Sequence, residues 1–263
     1  MLIDRVVPAE AARYAASLVF IPGLWAPSGV WQGFATFLAH RGWECRLLEM
    51  RGAGSLGVRA AAVRAYVAAL PGRVVLVGHD AGALVALSAA VGEQVAAAVL
   101  VAPLVPGSPP VRALTLAPRN LLRVAFGRPV PPPRGRGAAL AFGGAPGPVP
   151  PGLPQQLGPD DAIVVRDIAL GRAQPVRTSV PTLLVVGDRD PLLAVARAQA
   201  MAELLGADVC LLEATGHWPL AGPTWQRAAG AVHRWLVQRL GESLLEFYAE
   251  AMAEREAEED DEG

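Results

Sequence analysis

The sequence predicts an α/β fold with a mostly parallel, doubly wound sheet that carries helices on both faces. Two observations lead to this prediction. Short apolar runs such as Val74–Val77 show no alternation of polar and apolar residues, which is typical of central strands buried on both faces. These runs alternate along the chain with segments of helical periodicity, as in parallel sheets with crossover helices.

The elements follow one another in a regular order, with Pro-Gly pairs marking several of the turns. The predicted strands are Ser17–Ile21, Cys45–Met50, Val74–Val77, Ala98–Ala102, Thr182–Val186 and Val209–Leu212. The predicted helices are Trp31–Arg41, Ser55–Leu70, Ala81–Val91, about Leu192–Leu205 and about Pro223–Leu240.

Residues 104–180 interrupt this order. They separate two predicted strands by far more than an ordinary connection, and positions 129–159 hold ten Pro and seven Gly. We therefore expect neither regular helix nor central strand within 129–159, and we expect helices beside it at Val111–Phe126 and Asp160–Arg172. We interpret 104–180 as a cap over the carboxyl edge of the sheet, where open α/β sheets bind ligands, with a disordered linker as the alternative.

These boundaries divide the chain into three parts. Residues 1–103 and 181–241 form the predicted core, 104–180 the cap, and 242–263 an acidic C-terminal helix or tail. The tail contains ten Asp and Glu and one Arg, a net charge of −9, whereas the whole chain of 263 residues carries −1. Such a run is typical of a solvated, fraying terminus.

Composition and charge exclude several classes of partner. All 23 basic residues are Arg, and the near-neutral net charge does not indicate nucleic-acid binding. The chain shows no apolar run long enough for a membrane span and no signal-peptide pattern, so we expect a cytoplasmic protein without a membrane partner. Cys45 and Cys210 lie on apolar runs and are expected to be buried free thiols.

The candidate nucleophile is Asp80, in the turn Gly78-His79-Asp80-Ala81-Gly82. This turn joins a predicted buried strand to a predicted helix. Its glycines leave room for strained backbone, and the N–H groups at the start of the helix can stabilise negative charge. The sequence therefore predicts that the Asp80 side chain is presented at the edge of the sheet.

Two further polar side chains also follow predicted strands. His217 comes after one strand, and Asp190 lies in the segment Gly187–Pro191 after another. Asp188 and Asp190 are both candidates for orienting the imidazole, and we favour Asp190 because it lies further past the strand end. A helix N-cap role for Asp190 is the alternative. The chain order Asp80, Asp190, His217 is then nucleophile, acid and base.

Two more motifs precede these residues: Ile21-Pro22-Gly23-Leu24 and Glu49–Ser55. Together, the motifs resemble those of the α/β-hydrolase superfamily over about residues 15 to 240. The first resembles the family's oxyanion loop, although Pro22 stands where the family usually has His, and the second its Asp-x-Arg-Gly-x-Gly-x-Ser loop. Only about 16 residues precede the first predicted strand, so the N-terminal part is expected to be abbreviated.

An Asp at the elbow resembles the branch of the family that contains epoxide hydrolases and haloalkane or haloacid dehalogenases. A carboxylate needs no proton removed, so it can attack an sp3 carbon bearing a leaving group and form a covalent ester. The resemblance implies that His217, oriented by Asp190, then activates water. It also implies that the backbone N–H groups of Leu24 and Ala81 form the oxyanion hole. The expected substrate is a small epoxide or organohalide.

The substrate within that branch is not specified. Leu24 and Ala81 stand where haloalkane dehalogenases usually place Trp or Asn to hold the halide. Epoxide hydrolases use Tyr residues of the cap, whereas the Tyr residues of this chain lie outside 104–180, at Tyr14, Tyr66 and Tyr248. The residues expected to line the pocket are Trp25, His79 and Trp218, with ordinary packing as the alternative for the two Trp.

Two other functions stay open. One is an ester or lactone hydrolase of the same superfamily with a non-standard elbow, and the other is a binding protein that kept the fold and lost the chemistry. Six Arg between 112 and 136 could attract an anionic substrate, although we favour a solvated surface as their explanation. No dinucleotide glycine pattern, metal-ligand spacing or P-loop occurs, so we expect no cofactor and no metal.

Overall fold

The computed structural model describes residues 4–143, 151–172, 177–222 and 224–240. Its centre is a seven-stranded sheet in the order β1-β3-β2-β4-β5-β6-β7. The strands are β1 (Asp4–Val7), β2 (Ser17–Ile21), β3 (Cys45–Leu48), β4 (Val74–Asp80), β5 (Val95–Pro103), β6 (Thr182–Gly187) and β7 (Asp208–Leu212). All neighbouring strands are parallel except β1 and β3, which confirms the predicted mostly parallel sheet.

Strand β1 is the one strand that the sequence pattern did not predict. It pairs antiparallel with β3, with Asp4 opposite Leu48 and Val7 opposite Cys45. It is only four residues long and lies at the edge of the sheet, so it lacks the continuous apolar run that identifies central strands. The short segment before β2 therefore still contributes an edge strand.

Helices lie on both faces of the sheet. They are α1 (Gln32–Ala39), α2 (Leu56–Ala68), α3 (Ala81–Ala89), α4 (Pro109–Thr115), α5 (Pro118–Ala125), α6 (Arg136–Phe142), α7 (Leu153–Gln156), α8 (Ala162–Ala169), α9 (Val195–Leu205) and α10 (225–240). Strands β4 and β5 are buried at every position, because both of their faces are covered. The core helices match the predicted ones to within a few residues, and Pro223, the predicted start of the last helix, lies outside the described residues.

The segment between β5 and β6 is more helical than the sequence indicated. The single helix predicted at Val111–Phe126 is two helices, α4 and α5, because Pro118 disfavours helical conformation in the residue before it. The prediction of no regular helix within 129–159 is wrong for α6 and α7. Helix α6 contains no Pro, and Pro154 lies in the first turn of α7, where its missing N–H costs little.

The division of the chain into core, cap and C-terminal segment stays a prediction. Helix α8 lies within the predicted helix Asp160–Arg172, and 242–263 lies outside the described residues. Across the described ranges, no helix is long and apolar enough to cross a bilayer. Cys45 is buried and Cys210 half-buried, both are free thiols, and burial raises the pKa of each.

The carboxyl edge of the sheet is where the elements needed for a site meet. A Cβ on Gly82 would overlap the backbone carbonyl of Ile21, and a Cβ on Gly78 would overlap that of Gly82. Glycine at both positions therefore lets the first turn of α3 approach the loop after β2. This close approach brings that loop to the side chain of Asp80.

Candidate active site

Asp80 is the last residue of β4 and directly precedes α3. Its backbone has φ 55° and ψ −122°, a conformation that L residues rarely adopt. Such strain persists only where the surrounding structure enforces it, and it is concentrated at functional sites. The glycines on either side make the turn possible, and the residue is only 5% exposed.

The two oxygens of the Asp80 carboxylate have different partners. Oδ1 accepts hydrogen bonds from the backbone N–H groups of Leu24, at 3.0 Å, and of Ala81. Oδ2 lies 3.2 Å from Nε2 of His217. The two N–H groups expected to form an oxyanion hole therefore converge on one atom, and that atom belongs to Asp80 itself.

Asp190 lies on the other side of His217. Its Oδ2 is 2.8 Å from Nδ1 of the imidazole, and its Oδ1 accepts N–H bonds from Leu192 at 2.8 Å and Leu193 at 3.0 Å. The helix N-cap alternative is wrong, because α9 begins at Val195 and its N-cap is Ala194. Oδ1 of Asp190 binds N–H groups of the loop before α9, and Oδ2 contacts the imidazole. Asp188, the other candidate, accepts the N–H of Thr215 at 3.1 Å instead.

Opposite charges decide the protonation of this cluster. Burial by itself lowers the pKa of His217, but the carboxylates of Asp190 and Asp80 outweigh it and raise that pKa to about 10. Burial by itself raises the pKa of Asp80, but the hydrogen bond and charge of His217 outweigh it and lower the pKa of this carboxyl. At neutral pH the resting site therefore holds an imidazolium beside an ionised Asp80.

His79 supports the loop that carries the base. It is fully buried, and its Nε2 donates to the backbone carbonyl of His217 at 2.9 Å. Burial, followed by the charge of His217, lowers the pKa of His79 to about 4. It is therefore neutral at pH 7 and adds no second positive charge near Asp80. Its hydrogen bond holds the loop that contains His217.

Aromatic side chains lie next to the cluster. The ring of Trp218 is 4.6 Å from that of His79 and 5.3 Å from that of Phe142, and Phe142 is 6.3 Å from Trp25. Trp25 donates its indole N–H to the carbonyl of Val130 at 3.0 Å, so this N–H is not available to a leaving group. Phe142, on α6, was not identified from the sequence because its segment was expected to lack regular structure.

A buried ion pair that the sequence pattern does not predict lies next to the loop after β2. Asp160 precedes α8, Arg59 lies on α2, and their side chains form a salt bridge while almost completely buried. Oδ2 of Asp160 also accepts the backbone N–H of Trp25 at 3.0 Å, and Trp25 has φ 64°. The ion pair therefore holds the peptide that follows Leu24. The available signal was Asp160 itself, since 104–159 contains no acidic residue.

The described part of the chain contains no group of three or more His, Cys, Asp or Glu side chains arranged to hold a metal ion. The site itself offers a carboxylate, an imidazole, a second carboxylate and two converging N–H groups. The absence of a cofactor stays a prediction.

Comparisons with known proteins agree with the fold. A family model described as the alpha/beta hydrolase family matches residues 18–231, whereas a comparison with curated protein sequences gave no significant match. The monoacylglycerol lipase of Paleococcus ferrophilus superposes with a TM-score of 0.71 and 18% identity, over 91% of this chain and 99% of that one. A thermophilic esterase from Thermogutta terrifontis gives 0.62 and 17%, over 90% and 93%. MenH from S. aureus gives 0.66 and 18%, over 90% and 98%. At these identities the likeness shows the fold alone.

Proposed function

The chain belongs to the α/β-hydrolase family, and from that premise we propose that it is a hydrolase with Asp80 as nucleophile, His217 as general base and Asp190 as orienting acid. Its substrate in this proposal is a small molecule with an sp3 carbon that bears a leaving group, an epoxide or an organohalide. Residues 104–180 form the cap, and Trp25, Phe142 and Trp218 line the apolar side of the pocket.

The observation that carries the proposal is the position of Oδ1 of Asp80. In acyl transfer by a serine nucleophile, an oxyanion hole receives the carbonyl oxygen of the substrate. Here the N–H groups of Leu24 and Ala81 already bind a carboxylate oxygen of the protein. That arrangement suits an ester formed on Asp80, because the carbonyl oxygen of that ester is then in the hole before water attacks.

The first step uses the other oxygen. Oδ2 of Asp80 attacks the carbon, the new C–O bond forms, and the bond to the leaving group breaks with its electron pair. A halide departs as the anion, whereas an epoxide oxygen stays attached to the substrate as an alkoxide and takes a proton from water. The lowered pKa of Asp80 keeps the attacking carboxylate ionised at neutral pH.

The second step uses His217. Once Asp80 is an ester it has lost its charge, so one of the two groups that raise the pKa of His217 is gone. The imidazolium then releases its proton to solvent, and the neutral imidazole takes a proton from water as the resulting hydroxide attacks Cγ of Asp80. The negative charge develops on Oδ1 between the two N–H groups, and its collapse breaks the bond from Cγ to the ester oxygen. That oxygen takes the proton from His217 and leaves as the alcohol, and the new carboxyl group loses its proton to solvent, which restores the carboxylate.

The proposal is tested by trapping the ester. His217→Gln removes the base of the second step but not the nucleophile, so incubation with candidate epoxides and haloacids is expected to leave a covalent adduct on Asp80. Steady-state turnover should fall by about 10² to 10⁴-fold. The measurement is intact-mass spectrometry followed by peptide mapping. His40→Gln, at an exposed site at the end of α1, is the matched control and should form no lasting adduct.

Two results would overturn the proposal. One is the absence of any adduct on His217→Gln with every sp3 electrophile tested. The other is turnover of short aryl esters that survives Asp80→Ala, which would favour an ester or lactone hydrolase in which Asp80 is not the nucleophile. Binding of epoxides, organohalides or esters without any turnover would favour the non-catalytic binding protein.

The two steps are expected to differ in their dependence on pH. Alkylation needs ionised Asp80, whose pKa is lowered, so its rate should stay constant across the neutral range. Ester hydrolysis needs neutral His217. In the ester the carboxylate of Asp190 still favours the protonated imidazole, so the rate of hydrolysis should increase with pH. The ester should therefore accumulate on the unmodified protein at acidic pH, measured by rapid quenching and mass spectrometry between about pH 5 and pH 9. An identical pH profile for both steps would contradict this assignment.

A further inference from the structure

Helix α5 has an inverted distribution of polar and apolar side chains. Its buried residues include Asn120, a polar residue, whereas Leu121, Leu122 and the following Phe126 are 50%, 71% and 75% exposed. A helix that only had to pack on the protein would bury its leucines and expose its asparagine. Several large apolar side chains exposed together mark a surface that contacts something else.

The segment of the chain that contains this helix carries charges of one sign only. The sequence from 104 to 159 contains no Asp or Glu, and its arginines are Arg112, Arg119, Arg123, Arg128, Arg134 and Arg136. Arg119 donates to the carbonyl of Pro132 and Arg123 to that of Pro129, both at 3.1 Å, so these guanidinium groups are held near α5 while keeping their charge. None of the six forms an ion pair with a carboxylate in the described ranges.

An apolar groove continues this surface. It has a volume of about 540 Å³ and lies between α4, α5 and α6. Leu114, Pro118 and Leu140 line it together with Arg119 and Arg134, and Leu140 is itself largely exposed. The first turn of α5, at Pro118 and Arg119, therefore borders the groove, and the exposed apolar residues lie further along the same helix.

We propose that this face, the α5 surface (Leu121, Leu122, Phe126, Arg119 and Arg123), docks on an anionic lipid surface. A partner of both properties is required: negative charge for the arginines and an apolar layer for the leucines and Phe126. Lipid headgroups and the adjoining acyl region supply the two at the right depth for a helix that lies in the interface. The sequence predicts no membrane partner because it contains no apolar run long enough to span a membrane. A contact with the lipid surface does not need such a run.

The acidic segment 242–263 of the same chain is a less suitable occupant. Trp235 and Arg239, near the end of α10, bind the side chain of Asp208, the first residue of β7. The amino end of this parallel strand lies at the opposite edge of the sheet from Asp80. The described part of α10 therefore ends at the opposite edge of the sheet from Asp80.

The test is sedimentation of the full chain with vesicles of two compositions. Binding is expected with vesicles of equal parts phosphatidylglycerol and phosphatidylcholine and not with phosphatidylcholine alone, and it should weaken as salt is raised. Leu122→Ser together with Phe126→Ser should reduce the partition coefficient about tenfold or more, because two apolar side chains no longer enter the lipid. Leu204→Ser, at a similarly exposed leucine on α9, is the matched control and should leave binding unchanged.

Charge is tested in the same assay. Arg123→Ser should weaken binding about fivefold, since each basic residue near an anionic surface contributes on that order. Arg64→Ser is the control. Arg64 also donates to a backbone carbonyl, that of Ser88, but it lies on α2 and outside the α5 surface. These readouts do not depend on turnover, so they are separable from the proposed reaction.

Three outcomes would overturn the lipid assignment. One is equal binding to neutral and anionic vesicles, or none to either. Another is a dimer that the α5 variants convert to monomer, which would identify a second copy as the occupant. The third is binding that appears only after residues 242–263 are removed, which would identify that segment as the occupant in the full chain.

Discussion

Asp80→Asn is expected to abolish turnover, with a loss of roughly 10⁴-fold or more. The amide still offers an oxygen to the N–H groups of Leu24 and Ala81, so the turn should keep its conformation. The charge that attacks the substrate carbon is gone, and Nε2 of His217 faces an amide. The measurement is turnover of an epoxide or organohalide together with intact-mass analysis, in which no ester should form.

The matched control is Asp188→Asn. Asp188 lies after β6, two residues before Asp190, and its Oδ1 accepts the N–H of Thr215 at 3.1 Å. It does not contact His217, so the amide should preserve this bond and leave turnover within about threefold. Comparable losses in both variants would mean that charge at this edge of the sheet supports folding, and the nucleophile assignment of Asp80 would fail.

Asp160→Ala is expected to lower the free energy of unfolding by about 3 kcal/mol. Removing one partner of a buried ion pair costs about 3–5 kcal/mol where the other charge is left without compensation. Here the guanidinium of Arg59, which is 2% exposed, keeps an ion pair with the partly exposed Asp161 at 3.2 Å, so we expect the low end of that range. The N–H of Trp25 also loses its acceptor, and the peptide next to Leu24 is then free to move out of the oxyanion hole.

Urea unfolding and single-turnover kinetics measure the two consequences separately. Asp167→Ala is the control, since its ion pair with Arg172 is long, at 3.8 Å, and exposed, and should contribute no more than about 1 kcal/mol. The double variant Arg59→Met with Asp160→Ala should be less destabilised than Asp160→Ala, because no unpaired guanidinium remains. A double variant destabilised by the sum of the two single effects would show that the pair is not coupled.

The sequence pattern predicted six of the seven strands of the described sheet, and its signal was strongest where the chain is covered on both faces. The continuous apolar run at Val74–Val77 identified β4, because a central strand needs apolar side chains in both directions. Strand β1 has only four residues, two of them charged, whereas β7, the other edge strand, has an apolar run at Val209–Leu212. Helices α6 and α7 differ from the prediction for another reason. The ten Pro of residues 129–159 are unevenly spaced, and a short helix needs only a few positions without Pro in its interior.

The sequence by itself determined the order of chemical groups: glycines around Asp80, and Asp190 and His217 each placed after a strand. The position of each residue after a strand is visible in the local sequence. The carboxyl ends of parallel strands lie at one edge of the sheet, so residues that follow different strands come close together there. Only the tertiary structure decided which oxygen of Asp80 binds Leu24 and Ala81 and which faces His217. It also brought Asp160 to Trp25 across 135 positions of the chain. Contacts of that kind depend on how distant segments pack, and neither spacing nor periodicity contains that information.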